Sequence, residues 1–162
     1  MKQKSPVIKL KRLVAHLYRR LPLPYRLQVW LIRRMTPAFL VGVVGVVLNE
    51  RGEILLLEHV FHRVYPWGLP GGWMDRGESP DQTLRRELRE EVELEIEIGE
   101  LLAIEPDDDS HSLQFGYLCR ALGQPGRLSY EILSARWVSP DDLPAPLPPF
   151  HHALIARGMS GD

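Results

Sequence analysis

The stretch Trp67–Leu94, WGLPGGWMDRGESPDQTLRRELREEVEL, decides how the rest of the chain is read. It opens on a glycine-rich turn, crosses a polar loop and enters a helix-forming run. Ser79 is placed to cap that helix and Pro80 to be its first residue. Leu84, Leu88 and Val92 recur at helical spacing and form an apolar stripe. Beside the stripe, Glu87, Glu90 and Glu91 sit at i, i+3 and i+4, within about 100° of arc on one helix face. Like charges so placed repel by roughly 0.2–0.5 kcal/mol per pair on an isolated helix. Composition alone reads such a Glu/Arg-rich helix as a solvated face. The ordered clustering points instead to a counter-charge, and hard divalent cations bind carboxylate and phosphate oxygens.

The same residues resemble the Nudix box, G-x5-E-x7-R-E-U-x-E-E-x-G-U, with U a bulky aliphatic. Gly72 is followed by Glu78, then by Arg86, Glu87, Leu88, Arg89, Glu90, Glu91 and Val92. Glu93 stands where the pattern has its last glycine, and Leu94 takes the final aliphatic place, so eight of nine defined positions match. The preceding Leu69-Pro70-Gly71 also resembles the family's approach to the box. The resemblance implies an α+β fold, a Nudix-like α/β/α sandwich around a mixed, mostly antiparallel sheet. The domain would run over residues 37–162, with residues 1–36 as a basic helical extension.

What the resemblance implies about chemistry is a hydrolase. Water attacks phosphorus and cleaves the diphosphate linkage of a nucleoside diphosphate joined to another moiety, a small-molecule substrate. Mg²⁺, with Mn²⁺ as a substitute, would offset the phosphate charge. Glu87, Glu90 and Glu91 are the expected ligands, and the family adds the backbone carbonyl of Gly71. Gly72 is expected to relax the turn so that backbone approaches the ion. In the family Arg86 pairs with carboxylates and orients them, while Glu78 fixes the loop or reaches the metal through water. The general base stays open between a box glutamate and Glu131, which lies six positions before Trp137; a surface cap or salt bridge is the other reading of Glu131. Tyr65, Trp67 and Trp73 flank the turn with flat faces suited to stacking, although Trp67 reads more readily as core. His59, His62 and Arg63 follow on a loop, three basic or titratable groups that either contact substrate or are ordinary surface. Glu93 departs from the glycine that ends the helix with φ > 0, and would strain the turn by about 1 kcal/mol or shift it. A second reading is a ligand-binding or regulatory module with little turnover. Intact carboxylates favour the enzyme.

The chain has 162 residues and 44% hydrophobic content, which suits one domain plus an extension. Net charge is −1, unevenly divided: residues 1–36 hold ten Lys or Arg and no acid, leaving ten basic and 21 acidic residues elsewhere, a net −11. Cys119 is the single cysteine and reads as a buried, inert thiol in a reducing compartment. The apolar run Phe39–Leu48 is too short to span a bilayer, and the N-terminus lacks the pattern of a signal peptide, so the protein is expected in the cytoplasm. The histidines show no zinc-binding spacing.

Helices are predicted over Val7–Arg20 and Tyr25–Met35, separated by Leu21-Pro22-Leu23-Pro24. This extension is expected to pack on the domain or on a second subunit, supporting a homodimer. Peripheral contact with an anionic membrane through residues 1–36 is the next reading. Nucleic-acid binding is not expected, since aromatics do not interleave with the basic residues. Downstream, strands are predicted over Phe39–Leu48 and Glu53–Val60, then Glu95–Ile98, Leu101–Ile104, Leu113–Leu122 and Trp137–Val138. Pro106–His111 reads as an acidic loop, and Phe150–Arg157 as a final helix.

Overall fold

The computed structural model describes residues 24–36, 38–107 and 111–160. The chain divides into two compact units, Met1–Ala38 and Phe39–Asp162. In the first, helix α1 (Tyr25–Met35) has the bounds that its apolar spacing predicts. Pro24 starts it, its carbonyl accepting the N–H groups of Leu27 and Gln28 at 2.9 and 3.2 Å. Arg33 and Arg34 in the last turn complement the helix dipole. The helix predicted over Val7–Arg20 lies outside the described residues.

In the second unit seven strands form one sheet. They are β1 (Leu40–Leu48), β2 (Ile54–His59), β3 (Trp67–Gly68), β4 (Gly71–Trp73), β5 (Ile96–Asp107), β6 (Ser112–Ala121) and β7 (Ile132–Val138). Helix α2 (Pro80–Val92) follows β4, and α3 (Pro149–Ser160) follows β7. The strand order is β3-β2-β1-β6-β5, with β4 also on β1 and β7 also on β2. Only β1 and β6 run parallel; the other pairs are antiparallel.

The continuous apolar runs of β1 and β2 are explained by burial on both faces. Val43, Val47, Leu55 and Leu57 point one way and pack with Leu84, Leu88 and Val92 of α2. Val44, Val46, Ile54 and Leu56 point the other way and pack with Leu154 and Ile155 of α3. Strand alternation thus builds two cores, one under each helix. Each fully buried aliphatic contributes about 1.5–3 kcal/mol of transfer free energy before the entropy of ordering it. The layering is the α/β/α sandwich expected of the chain.

Several boundaries differ from the predicted ones. The two short strands predicted over Glu95–Ile98 and Leu101–Ile104 are one strand, β5, whose pairing with β6 slips between Ile98 and Leu101 and again before Ala103. Those irregularities break the alternation that makes a strand legible. The strand continues to Asp107, so the acidic loop predicted from Pro106 begins later; residues 108–110 are outside the described set. The short strand predicted over Trp137–Val138 begins at Ile132, and the last helix is longer at both ends than Phe150–Arg157. Cys119 is buried, and that burial pushes its thiol up to about 12.

Candidate active site

Helix α2 starts where Ser79 and Pro80 require. The Ser79 N–H donates to the Gln82 side chain at 2.9 Å, which closes the first turn from inside the helix. Just ahead of it, Glu78 is the hub of the loop. Its carboxylate accepts the Asp75 N–H (3.1 Å), the Thr83 hydroxyl (2.8 Å) and two bonds from Arg86, 2.7 Å from Nε and 3.1 Å from Nη2. The bonds from Arg86, then those from Thr83 and Asp75, lower the Glu78 carboxyl to about 2. Glu78 is therefore a fixed anion that ties the loop to the helix.

Arg86 spends its remaining donors on the same neighbourhood. Nη1 donates to Glu87 at 2.9 Å and to Glu90 at 3.2 Å, and Nη2 donates to the Trp73 carbonyl at 3.1 Å. One guanidinium thus links the loop, two of the helix glutamates and strand β4. Five N–H donors in a rigid plane make Arg, and not Lys, suited to that task.

Glu87 and Glu91 face a cleft of about 680 Å³, together with Gly71, Gly72, Arg86, Glu131, Arg63, Tyr65 and Trp73. Glu90 is not among the residues that line it; its side chain is 61% exposed and held by Arg86. Glu91 is 8% exposed, and one of its oxygens, Oε2, is buried with no hydrogen-bond partner among the described residues. Burial and then the Glu87 charge raise the Glu91 carboxyl to about 8, against a hydrogen bond from the Gly71 N–H. Burial also raises Glu87, with Arg86 opposing.

The two glycines serve these carboxylates in different ways. Gly71 has φ +146°, and a Cβ there would strike the Val43 carbonyl. Gly72 has no such backbone demand: a Cβ on it would land on the Glu87 carboxylate. Gly72 was expected to relax the turn; Gly71 does that, and Gly72 leaves room for a glutamate.

The donor set suits a divalent cation. A buried carboxylate oxygen with no partner among the described residues lies beside the half-buried Glu87 carboxylate and the close backbone approach of Gly71, and uncompensated burial of this kind is costly. Among the described residues, no three His, Cys, Asp or Glu side chains are already drawn together as ligands. Arg86 accounts for that, since it holds Glu87 and Glu90 toward itself. A cation would have to share those carboxylates with it.

Glu131 enters the cleft from the chain that caps α2. The Gly126 N–H donates to Val92 O and the Ser129 N–H to Glu91 O, both at 2.8 Å. Glu93 adopts φ 51° and ψ 37°, so the helix ends where the glycine of the box would end it and is not shifted. The Glu93 carboxylate accepts the Arg127 N–H at 3.2 Å and pairs with the Arg127 guanidinium at 3.2 Å. That contact gives the departing residue a use that glycine lacks.

Sequence reasoning missed Gln114 and His151, which line the cleft; His59 and His62, read with Arg63 as substrate contacts or ordinary loop surface, line it as well. His151 Nδ1 accepts the Leu69 N–H at 3.0 Å, which leaves the neutral ring's proton on Nε2. Burial, then the charges of His59 and His62, lower His151 to about 4. Burial also lowers His59 to about 4, with Glu131 acting the other way. No local signal marks His151, because its partner lies 82 residues away. Trp67 is half-buried against the second core, with the Arg136 guanidinium 5.0 Å over its ring, and also borders the cleft.

Comparison with known proteins identifies the family and the fold. The family model of the NUDIX domain matches residues 38–158. The chain is 29% identical to a MutT-like protein of Streptomyces ambofaciens over 107 residues, 66% of this chain and 68% of that one. It is 35% identical to the 8-oxo-dGTP diphosphatase of Haemophilus influenzae over 120 residues, 70% of this chain and 86% of that one. Among solved structures, an ADP-ribose pyrophosphatase from Streptococcus suis aligns with a TM-score of 0.63 at 27% identity, covering 77% of this chain and 94% of that one. Other curated relatives are longer, and the chain spans 34% to 48% of their length.

Proposed function

The chain belongs to the NUDIX family, and from that premise we propose that it is a Mg²⁺-dependent hydrolase of nucleoside diphosphates joined to another moiety. The observation that carries the reading is Glu91: a buried carboxylate with a partnerless oxygen, beside Glu87 and above Gly71, in a cleft of substrate size. The ADP-ribose pyrophosphatase and the 8-oxo-dGTP diphosphatase are named for cleavage at a diphosphate, which supports the same reaction class.

A bound divalent cation supplies charge neutralisation on the diphosphate and polarises the bond that breaks. Glu87 and Glu91 would hold it, with Glu90 joining when Arg86 releases it and the Gly71 carbonyl as a backbone ligand. Arg86 orients these carboxylates, and Glu78 holds Arg86. The water oxygen bonds to phosphorus, the anhydride P–O bond breaks, and the leaving phosphate takes the electron pair. The water's proton passes to a carboxylate. Glu131 is the candidate from outside the helix and shares the cleft with Glu91. Arg63, Tyr65 and Trp73 border the space where the substrate's other groups would lie.

The test is a panel of nucleoside diphosphate derivatives incubated with Mg²⁺ and followed by phosphate-containing products. Turnover of at least one, reduced by about tenfold or more in Glu91→Gln, is the expected result. Mn²⁺ binding by titration calorimetry should weaken in the same variant. Ligand binding without turnover across the panel would replace the enzyme with a binding module. We further propose a cytoplasmic location and a homodimer supported by the basic residues 1–36 against the acidic remainder of the chain. Among the described residues no helix is long and apolar enough to cross a membrane.

A further inference from the structure

Thr83 lies in α2 at one of the seven places that the box leaves undefined between Glu78 and Arg86. It is 0% exposed, among the residues that α2 buries with Leu84, Leu88 and Val92. A hydroxyl so placed needs a partner. It has one hydrogen to donate and two acceptors in reach, the Ser79 carbonyl one turn back at 3.3 Å and Glu78 Oε2 at 2.8 Å. Bonding to the carbonyl four residues back is the local choice open to any Thr in a helix. The shorter contact, to an ionised oxygen, is the stronger of the two. The Thr83 hydroxyl is therefore aimed at Glu78.

Glu78 is joined to Arg86 by two bonds, Oε1 accepting Nε and Oε2 accepting Nη2. Oε2 also accepts the Asp75 N–H and the Thr83 hydroxyl, which hold the carboxylate without help from Arg86. Of these two, Asp75 lies on an exposed stretch of loop, whereas Thr83 is set in the core. The difference matters when a cation arrives. Arg86 Nη1 holds Glu87 and Glu90, and a cation that takes these carboxylates withdraws them from Arg86. The guanidinium then keeps Glu78 and the Trp73 carbonyl. A Glu78 carboxylate free to rotate would let Arg86 follow the departing carboxylates and go on competing for them.

We infer that Thr83 is a positioning residue of the site: its buried hydroxyl fixes the Glu78 carboxylate, and through it the Arg86 guanidinium, so that Glu87 and Glu90 can pass to a cation while Arg86 stays behind. Supporting groups of this kind set how closely a site holds its working geometry. Thr83 touches neither cation nor substrate and acts only through Glu78 and Arg86. The inference rests on the reading of Glu87, Glu90 and Glu91 as cation ligands.

The experiment compares full-length wild type with Thr83→Val, which removes the hydroxyl and keeps the branched shape, and with Thr83→Ser, which keeps the hydroxyl. Two readouts are taken well below the melting temperature: Mn²⁺ affinity by titration calorimetry, and kcat and KM for a nucleoside diphosphate derivative that wild type hydrolyses. Thr83→Val should raise the Mn²⁺ Kd about fivefold and lower kcat about tenfold, with KM within about twofold of wild type. Thr83→Ser should stay within about twofold of wild type in all three. A role in packing alone would lower the Tm and leave Mn²⁺ affinity and kcat of the folded protein where they were. A Thr83→Val that matches wild type in both, or a Thr83→Ser that loses as much as Thr83→Val, overturns the inference. If Thr83→Val does not fold, Thr83→Ala enters the same comparison with the same outcomes. A wild type that neither binds Mn²⁺ nor turns over any substrate sinks the hydrolase reading and this inference with it. A wild type that binds Mn²⁺ without turnover sinks the hydrolase alone, and the Mn²⁺ Kd of the variants still decides the role of Thr83.

Discussion

Glu91 is asked to do two incompatible things. The fold buries it beside Glu87, and no described residue hydrogen-bonds its second oxygen. Glutamine at 91 would keep an acceptor for the Gly71 N–H and remove the cost of taking this carboxyl out of water, which the folded chain meets by holding a proton that the unfolded chain releases. Glu91→Gln is therefore expected to gain about 1–3 kcal/mol of stability in chelator while losing turnover. Thermal melts with and without Mg²⁺ check this: the ion should raise the wild-type Tm and leave the variant's unmoved. Equal shifts in both would show that the ion is held elsewhere. Glu93 makes a milder compromise. Its left-handed backbone costs about 1–2 kcal/mol for a residue with a Cβ, and its exposed pair with Arg127 returns at most about 1. Glu93→Gly should thus raise stability by up to about 1 kcal/mol in denaturant melts, with kcat retained. A loss would mean that the Arg127 contact outweighs the strain. Both residues were marked by the sequence, since the spacing of the box isolates the glutamate cluster and its one departure. Their partners were not: Gly126–Ser129 and the Glu87 carboxylate over Gly72 depend on which loops return to the helix.

At the scale of elements, α2 was legible and its supports were not. Ser79, Pro80 and the stripe Leu84, Leu88, Val92 fix where the helix starts and which face it buries. Strands β3 and β4 span two and three residues, too few for a period of two to appear. They matter because they carry the turn Leu69-Pro70-Gly71, and α3 pins that turn through His151. His151→Leu would leave the Leu69 N–H unpaired in a buried place, at about 1–3 kcal/mol, and should lower kcat by loosening Gly71. His151→Asn keeps an acceptor close to the Nδ1 position and should restore activity. An acceptor-independent loss in both variants would refute the pinning role. The pair also reports on pH. His151 takes a proton at about 4 in the folded chain, below its ordinary 6.5. As pH falls the unfolded chain binds that proton first, so stability drops between about 6.5 and about 4. His59, also lowered to about 4, adds to the same window. Urea melts at pH 7 and pH 4.5 should show a smaller acid loss in His151→Asn than in wild type.

The whole molecule is divided by charge as much as by packing. The first 36 residues hold ten basic and no acidic residues, and the rest carries a net −11. The sandwich was readable because fully buried strands give unbroken apolar runs and amphipathic helices give stripes. The fate of the extension was not, because a basic amphipathic segment meets an acidic domain and an anionic bilayer through the same chemistry. Leu27, Trp30 and Leu31 on α1, with Leu13 and Leu17 earlier in the chain, need cover, and 36 residues cannot build a core of their own. An acidic catalytic domain, of the same chain or of a second copy, offers that cover together with opposite charge. Deleting residues 1–36 is therefore expected to lower the Tm or shift the oligomer in plain buffer, as read by melting and by light scattering. Raising salt from 0.05 to about 0.5 M should weaken the same docking in the full chain, since screening shortens the reach of the charges from above 10 Å to below it. If deletion changes neither stability nor oligomer but abolishes binding to vesicles containing anionic lipid, the segment is a membrane anchor and the docking proposal fails.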